Sequence, residues 1–177
     1  MPNFFRDNDD LQFYIKKWID WDSVYAVTER FGYAKDALPS KDDAVEFYTD
    51  ILDLLGEFVA EQVAPHAGQV DREGVSLVDG EPIFPDRLQS IFDQLNALEM
   101  HGMNLPRELG GQNCPILLYM IQTELLTRAD TSVTTHFSFH GGIAMALLLF
   151  SIREGTTTYH PETGEILETR FAEAIEE

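Results

Sequence analysis

His136 and His140 stand four residues apart, the spacing that puts two imidazoles on one face of a helix. A zinc or iron site would need further ligands at matching spacing. The sequence holds no His-Glu-x-x-His and no Glu-x-x-His, which disfavours both a metalloprotease site and a ferritin-like di-iron bundle. No metal is expected, and the two histidines are expected beside a pocket or a subunit contact. Ser138 lies between them, but Phe137-Ser138-Phe139-His140-Gly141 is not a nucleophile elbow. Neither a phosphate-binding loop nor a Gly-x-Gly-x-x-Gly turn is present. The carboxylates are scattered, so none can be assigned an acid or base role. The single cysteine, Cys114, rules out an internal disulfide and a cysteine metal cluster, and reads as a small packing residue. No catalytic residue and no cofactor contact follows from these residues alone.

One constellation does point to a cavity. Thr135, Ser138, Phe139 and Gly142 recur at i, i+3, i+4 and i+7, one helix face, and all but Phe139 are small. Gly141-Gly142 inside a helix costs about 1 kcal/mol per glycine relative to alanine, so something is expected to come close. Two readings stand: a neighbouring helix packed against the glycines, or a ligand channel.

The elements around this face follow from periodicity. With 177 residues, 44% of them hydrophobic, the chain can bury a substantial core. Asp9-Asp10 is expected to open a first helix running to about Arg30, with Leu11, Tyr14, Trp18, Trp21 and Tyr25 as its stripe. Ser40-Lys41-Asp42-Asp43 resembles a capping box before a second helix. That helix carries Val45, Tyr48, Leu52, Leu55, Val59 and Val63, beside a second stripe of Phe47, Ile51, Leu54 and Phe58, and Pro65 is expected to end it. Residues 71–84 read as an ordered loop, with a hairpin signal at Asp79-Gly80. Pro85-Asp86 starts a third helix. Asn113 is expected to cap a fourth, deeply buried one, with Glu124 and Arg128 paired on its exposed side. Asp130-Thr131-Ser132 caps a fifth helix to about Arg153, whose wholly apolar second half, Ile143 to Phe150, reads as central core. Pro161-Glu162-Thr163-Gly164 then predicts a hairpin turn with a bulge, and Phe171 onward opens another helix that is expected to continue in a longer product. The fold class is thus all-α, a bundle of about five helices with a small β-hairpin near the C-terminus.

The charge excludes some functions. Twelve basic against 31 acidic residues give a net charge of −19, which repels nucleic acid and anionic lipid. The N-terminus shows no secretory pattern, and Ile143 to Phe150 is too short to span a bilayer. A cytoplasmic protein without membrane insertion is the expectation.

Taken in order, several stretches resemble the N-terminal helical domain of the flavin-dependent acyl-CoA dehydrogenases. These are Val63-Ala64-Pro65, Leu105-Pro106-Arg107-Glu108-Leu109-Gly110-Gly111, Glu124-Leu125, Arg128-Ala129-Asp130, and the helix from Ser132 through His140 to Leu148. The turn looks like the family pattern Leu-Pro-Glu-Glu-Tyr-Gly-Gly, with Arg107 and Leu109 as departures. Asp71-Arg72-Glu73-Gly74, Asp79-Gly80 and Phe84-Pro85 look like the larger members with an N-terminal extension. The resemblance implies a division into an extension at 1–39, the family domain at 40–155, and a hairpin with the start of a helix at 156–177.

It further implies FAD-dependent α,β-dehydrogenation of an acyl-CoA, a homo-oligomer, and electrons passed to an electron-transferring flavoprotein that docks on an apolar groove of this domain. Part of the apolar surface of the second and fourth helices would serve that groove. The catalytic base and most FAD contacts belong to family regions outside these residues, so this chain alone is expected to be inactive and not to hold FAD. Ser138 and Gly142 match pocket-lining positions of the family, with Thr135 and Phe139 as helical neighbours, and the four are expected to line the far end of the acyl site. The alternative is a non-enzymatic helical scaffold or interaction module.

Overall fold

Four side chains, Asn8, Asp20, Ser40 and Asp130, accept backbone N–H groups at helix starts and set where four of the helices begin. The computed structural model describes residues 2–176. Its helices are α1 (Asp9–Phe13), α2 (Trp21–Thr28), α3 (Lys41–Phe58), α4 (Ala67–Glu73), α5 (Asp86–Ala97), α6 (Ile116–Ala129), α7 (Thr131–Arg153) and α8 (Ala172–Glu176). Two antiparallel hairpins accompany them, β1 (Ser76–Val78) with β2 (Glu81–Ile83) and β3 (Thr158–Tyr159) with β4 (Ile166–Glu168). The all-α class with a C-terminal hairpin is as the periodicity indicated. Asp79 at φ 53° and Gly80 at φ 89° form the tight primed turn of the first hairpin. Gly164 at φ 70° and an irregular register at Thr158/Tyr159 mark the bulged second one.

Local departures have local causes. The expected single helix from Asp9 to Arg30 is broken. A wide π-helical turn at Tyr14–Trp18 ends α1, and Asp20 recaps the chain by accepting from the Ser23 N–H at 3.3 Å. The break turns Trp21 back, so that its indole donates to the Ile15 carbonyl at 2.7 Å and its ring packs on Tyr48. It also rotates the expected stripe: Leu11 and Ile15 are buried, whereas Tyr14 and Trp18 are exposed. Pro65 does not end the second helix. A π-helical turn (Val59–Val63) and a tight 3₁₀ turn (Ala64–His66) carry the chain past Phe58 into α4, and Pro65 sits where no N–H is required. Residues 71–73, expected as loop, are therefore helical.

Asn113 does not cap α6. It sits at φ 56°, and its side-chain amide donates to the Thr28 carbonyl at 2.8 Å, while Pro115 occupies the cap position. Glu124 and Arg128 are not paired among the described residues; the Arg128 guanidinium lies over the Phe4 ring instead.

The main core joins Leu52, Leu55 and Val59 to Ile91, Leu95, Leu118, Leu125, Val133 and Phe137. A smaller cluster gathers Leu105, Leu109, Ala144, Leu148 and Ile175. The burial of α7 is the reverse of the expected one. Its first half enters the main core through Val133 and Phe137, whereas Ile143, Leu149 and Phe150 in its apolar second half are each more than half exposed. Likewise α6 is not wholly buried, since Ile116 and Met120 lie outside.

The turn at Leu105–Gly111 joins these parts. Arg107 donates from both terminal nitrogens to the Glu29 carboxylate, each at 2.8 Å, and Glu29 is fully buried. The Leu38 N–H, at 3.2 Å, and the Tyr48 hydroxyl, at 3.4 Å, donate to the same carboxylate. Hydrogen bonding to Glu29 is also what raises the Arg107 pKa above its ordinary value. Glu108 accepts from Arg30 at 3.4 Å and from the Ile166 N–H of β4 at 3.2 Å. Gly111 passes so close to Leu105 that an added Cβ would sit 2.1 Å from its carbonyl oxygen. Removing one partner of a buried, hydrogen-bonded pair costs about 3–5 kcal/mol. Arg107→Ala is therefore expected to lower stability by that amount in urea unfolding. Arg107→Lys should recover only part of it, because an ammonium cannot reproduce the two-pronged geometry. Gly111→Ala is expected to displace the turn, read as a lowered melting temperature.

Candidate functional site

The Asp130 carboxylate fixes the phase of α7 by accepting from the Ser132 and Val133 N–H groups at 2.8 and 3.2 Å. At 100° per residue, with Val133, Phe137, Gly141, Ala144 and Leu148 turned inward, the opposite face carries Thr135, Phe139, Gly142, Ile143, Leu149 and Phe150. Three of the four sequence-derived site residues, Thr135, Phe139 and Gly142, thus lie together on an exposed apolar face, with Phe139 61% exposed. Ser138 sits half-buried at its edge, where α6 approaches: the Tyr119 hydroxyl donates to the Ser138 carbonyl at 2.8 Å. The Ser138 hydroxyl is buried with no hydrogen-bond partner, whereas that of Thr135 donates to the Thr131 carbonyl at 2.8 Å.

The two glycines separate the two readings of this helix. A Cβ on Gly141 would meet the His101 carbonyl at 2.9 Å and the Asn104 side-chain oxygen at 3.1 Å, so close packing accounts for it. A Cβ on Gly142 would meet only the Tyr119 hydroxyl, at an ordinary 3.5 Å. No neighbour among the described residues demands glycine there, and its effect is to leave the exposed face flat.

His136 and His140 pack edge-on at 5.7 Å on the flank of this face, and among the described residues no three His, Cys, Asp or Glu side chains are grouped to hold a metal ion. His101, which the sequence did not single out, joins them from the α5–α6 connection at 4.9 Å from His140. His101 and His140, together with Leu105, Leu109, Ile143 and Ile175, line an open groove of about 670 Å³. A smaller hollow of about 330 Å³ lies between α3 and α5, with Leu54, Phe58, Ala97 and Leu98 inside and Glu57 and Glu61 on its rim. Cys114 is buried in the core, and desolvation pushes its thiol pKa up to about 12, which keeps it protonated and unreactive.

The exposed α7 face suits an apolar occupant. Its one cation among the described residues, Arg153, stands at the far end. Phe150 was not legible as exposed: an aromatic side chain in an apolar stretch reads as core, and only the tertiary packing shows that it remains outside.

Known proteins resemble this chain in sequence. The family described as acyl-CoA dehydrogenase, N-terminal domain, matches residues 47–163. A 3-methylmercaptopropionyl-CoA dehydrogenase from Ruegeria pomeroyi is 27% identical over 123 residues, which is 70% of this chain and 19% of that protein. A mitochondrial isovaleryl-CoA dehydrogenase from Arabidopsis thaliana is 25% identical over 135 residues, 75% of this chain and 29% of that protein. A mitochondrial 2-methylacyl-CoA dehydrogenase from Solanum tuberosum is 26% identical over 102 residues, covering 58% and 22%. The chain therefore spans between about a fifth and a third of the length of these relatives. With the family match covering most of the chain, and the helix order, the Leu105–Gly111 turn and the long α7 all in place, this chain belongs to the acyl-CoA dehydrogenase N-terminal domain family.

Proposed function

We propose that this chain is the N-terminal helical part of a flavin-dependent acyl-CoA dehydrogenase and supplies one wall of its acyl site. The observation that carries the proposal is the uncovered apolar face of α7, on which Thr135, Phe139 and Gly142 lie together with Ser138 at the edge. An apolar stripe of this length on a soluble domain is a surface waiting for an occupant. In the proposed enzyme the acyl chain runs against it, and the flat surface at Gly142 leaves room for a long or bulky acyl group.

The reaction is α,β-dehydrogenation of an acyl-CoA thioester, in which FAD, when bound, accepts the hydride. This chain's residues would contribute orientation and exclusion of water at the acyl end. The base, the CoA contacts and the FAD site are assigned to regions outside these residues. We also propose an electron-transferring flavoprotein as the acceptor, docking at the apolar hollow between α3 and α5 rather than on α6, because the hollow presents Leu54, Phe58 and Leu98 side by side. The N-terminal extension at 1–39, homo-oligomerisation and a cytoplasmic location complete the proposal.

The central test is to express the longer protein that contains this chain. It is expected to be yellow, to show flavin absorbance, and to reduce an artificial acceptor dye with acyl-CoA; a colourless and inert product overturns the proposal. Within it, Gly142→Leu is expected to shorten the preferred acyl chain, read as a shift in kcat/KM across a chain-length series. The space at Gly142 makes this a clean test. In the 177-residue chain Gly142→Ala should raise stability by up to about 1 kcal/mol, whereas Gly141→Ala should lower it through the clash with the His101 carbonyl. Leu54→Asp is expected to weaken electron transfer to the flavoprotein acceptor while leaving the dye-coupled rate intact.

A further inference from the structure

Three histidine rings join four segments of the chain. His101, in the connection after α5, packs on Phe137 at 4.4 Å and on His140 at 4.9 Å. His140 packs on His136 at 5.7 Å. His136 in turn lies 4.4 Å from Phe92 of α5 and 5.3 Å from Phe84, just beyond β2. The rings thus form a continuous line from the connection, across α7, to α5 and the first hairpin. The connection is held close: the His101 carbonyl and the Asn104 side chain crowd Gly141, and the Leu105 N–H donates to Gly102 at 3.1 Å.

We propose that His101 and His136, packed on either side of His140, form a pH-sensitive clasp, which holds the α5–α6 connection and the first hairpin against α7 while their rings are neutral and loosens when they take up protons. The proposal is independent of the acyl reading. Its geometry is that of mutually packed imidazoles, which cannot all become cationic without repelling one another. His101 adds a second constraint. Its Nδ1 is buried with no partner, so a proton placed there would be a buried N–H with no acceptor.

The groups facing the cluster do not offset this. Asp93 and Glu99, on α5 and just after it, and Glu176 of α8 line the adjoining groove; they are exposed, as are His136 and His140, so water screens all of these charges and the buried Nδ1 of His101 is the group that bears the main cost. From α6 the Tyr119 ring edge lies near Gly141, with its hydroxyl near Gly142. His101 titrates below the ordinary value of 6.5, through burial first and then through His140 and His136. His136 is also lowered, through burial first and then His140. The folded state consequently holds fewer protons than the unfolded state around and below pH 6.5. Its stability from this cluster is fully present above that value and is lost as pH falls through the folded-state titration.

The test is an NMR titration of the five histidines in the 177-residue chain, folded in buffer and unfolded in urea, with amide exchange followed in parallel and corrected for the intrinsic pH dependence of exchange. His101 and His136 are expected to titrate at lower pH in the folded chain than in urea. Over the same range the Leu105, Gln112 and Cys114 amides should lose protection several-fold, while Leu125 and Leu126 of α6 keep theirs. His101→Phe, which keeps a ring but cannot titrate, should retain protection of those three amides at acid pH. Should that variant fail to fold, the unmodified chain decides alone. Folded-state midpoints equal to or above those in urea would overturn the proposal. So would low midpoints with unchanged protection in the connection, or protection lost uniformly across the chain.

Discussion

The carboxylate of Glu29 has no access to water, and everything that neutralises it comes from elsewhere in the sequence. Arg107 supplies the charge, while Tyr48 and the Leu38 N–H supply further donors. A buried anion is costly without its partner, so this set of hydrogen bonds ties α2, α3 and the Leu105–Gly111 turn together at one point. Glu108 extends the constraint to the C-terminal hairpin through the Ile166 N–H. The small core of Leu105, Leu109, Leu148 and Ile175 then rests against the turn so placed.

This gives the departures from the family pattern a physical meaning. Arg107 stands where the resembling motif has glutamate; a glutamate there would leave the buried Glu29 carboxylate without its cationic partner and add a like charge nearby. Leu109 replaces a tyrosine and is buried between α7 and α8. Both changes answer groups that lie outside the matched span of 47–163 or at its far side, Glu29 in the N-terminal segment and Ile175 in the last helix. The turn thus contacts elements beyond the matched span on both sides.

What could be read in the sequence was what local chemistry determines. Asp79-Gly80 and Pro161–Gly164 announced two hairpins because turn geometry depends on the residues within it. Asp130 announced the start of α7 and, with it, the phase that brings Thr135, Phe139 and Gly142 to one face. The break at Ile19–Asp20 was hidden because the residues on both sides keep a helical period; what breaks it is the return of Trp21 onto Ile15 and Tyr48. The second half of α7 was misread for a different reason. Hydrophobicity reports that a face avoids water, but it does not say whether this segment or another covers it. His101 was missed because it lies in an irregular connection, where spacing carries no information about which helix it will meet.

The bare face of α7 has a consequence for biosynthesis. In the longer protein proposed above, synthesis at about 5–20 residues per second would leave tens of seconds between this segment and the end of a chain as long as these relatives. During that interval the helical domain is already foldable, yet Phe139, Ile143, Leu149 and Phe150 have nothing to rest against. The net charge of −19 then acquires a role that no binding argument supplied. Like charge would oppose the approach of two nascent copies, over a range of about 8–10 Å at ordinary salt.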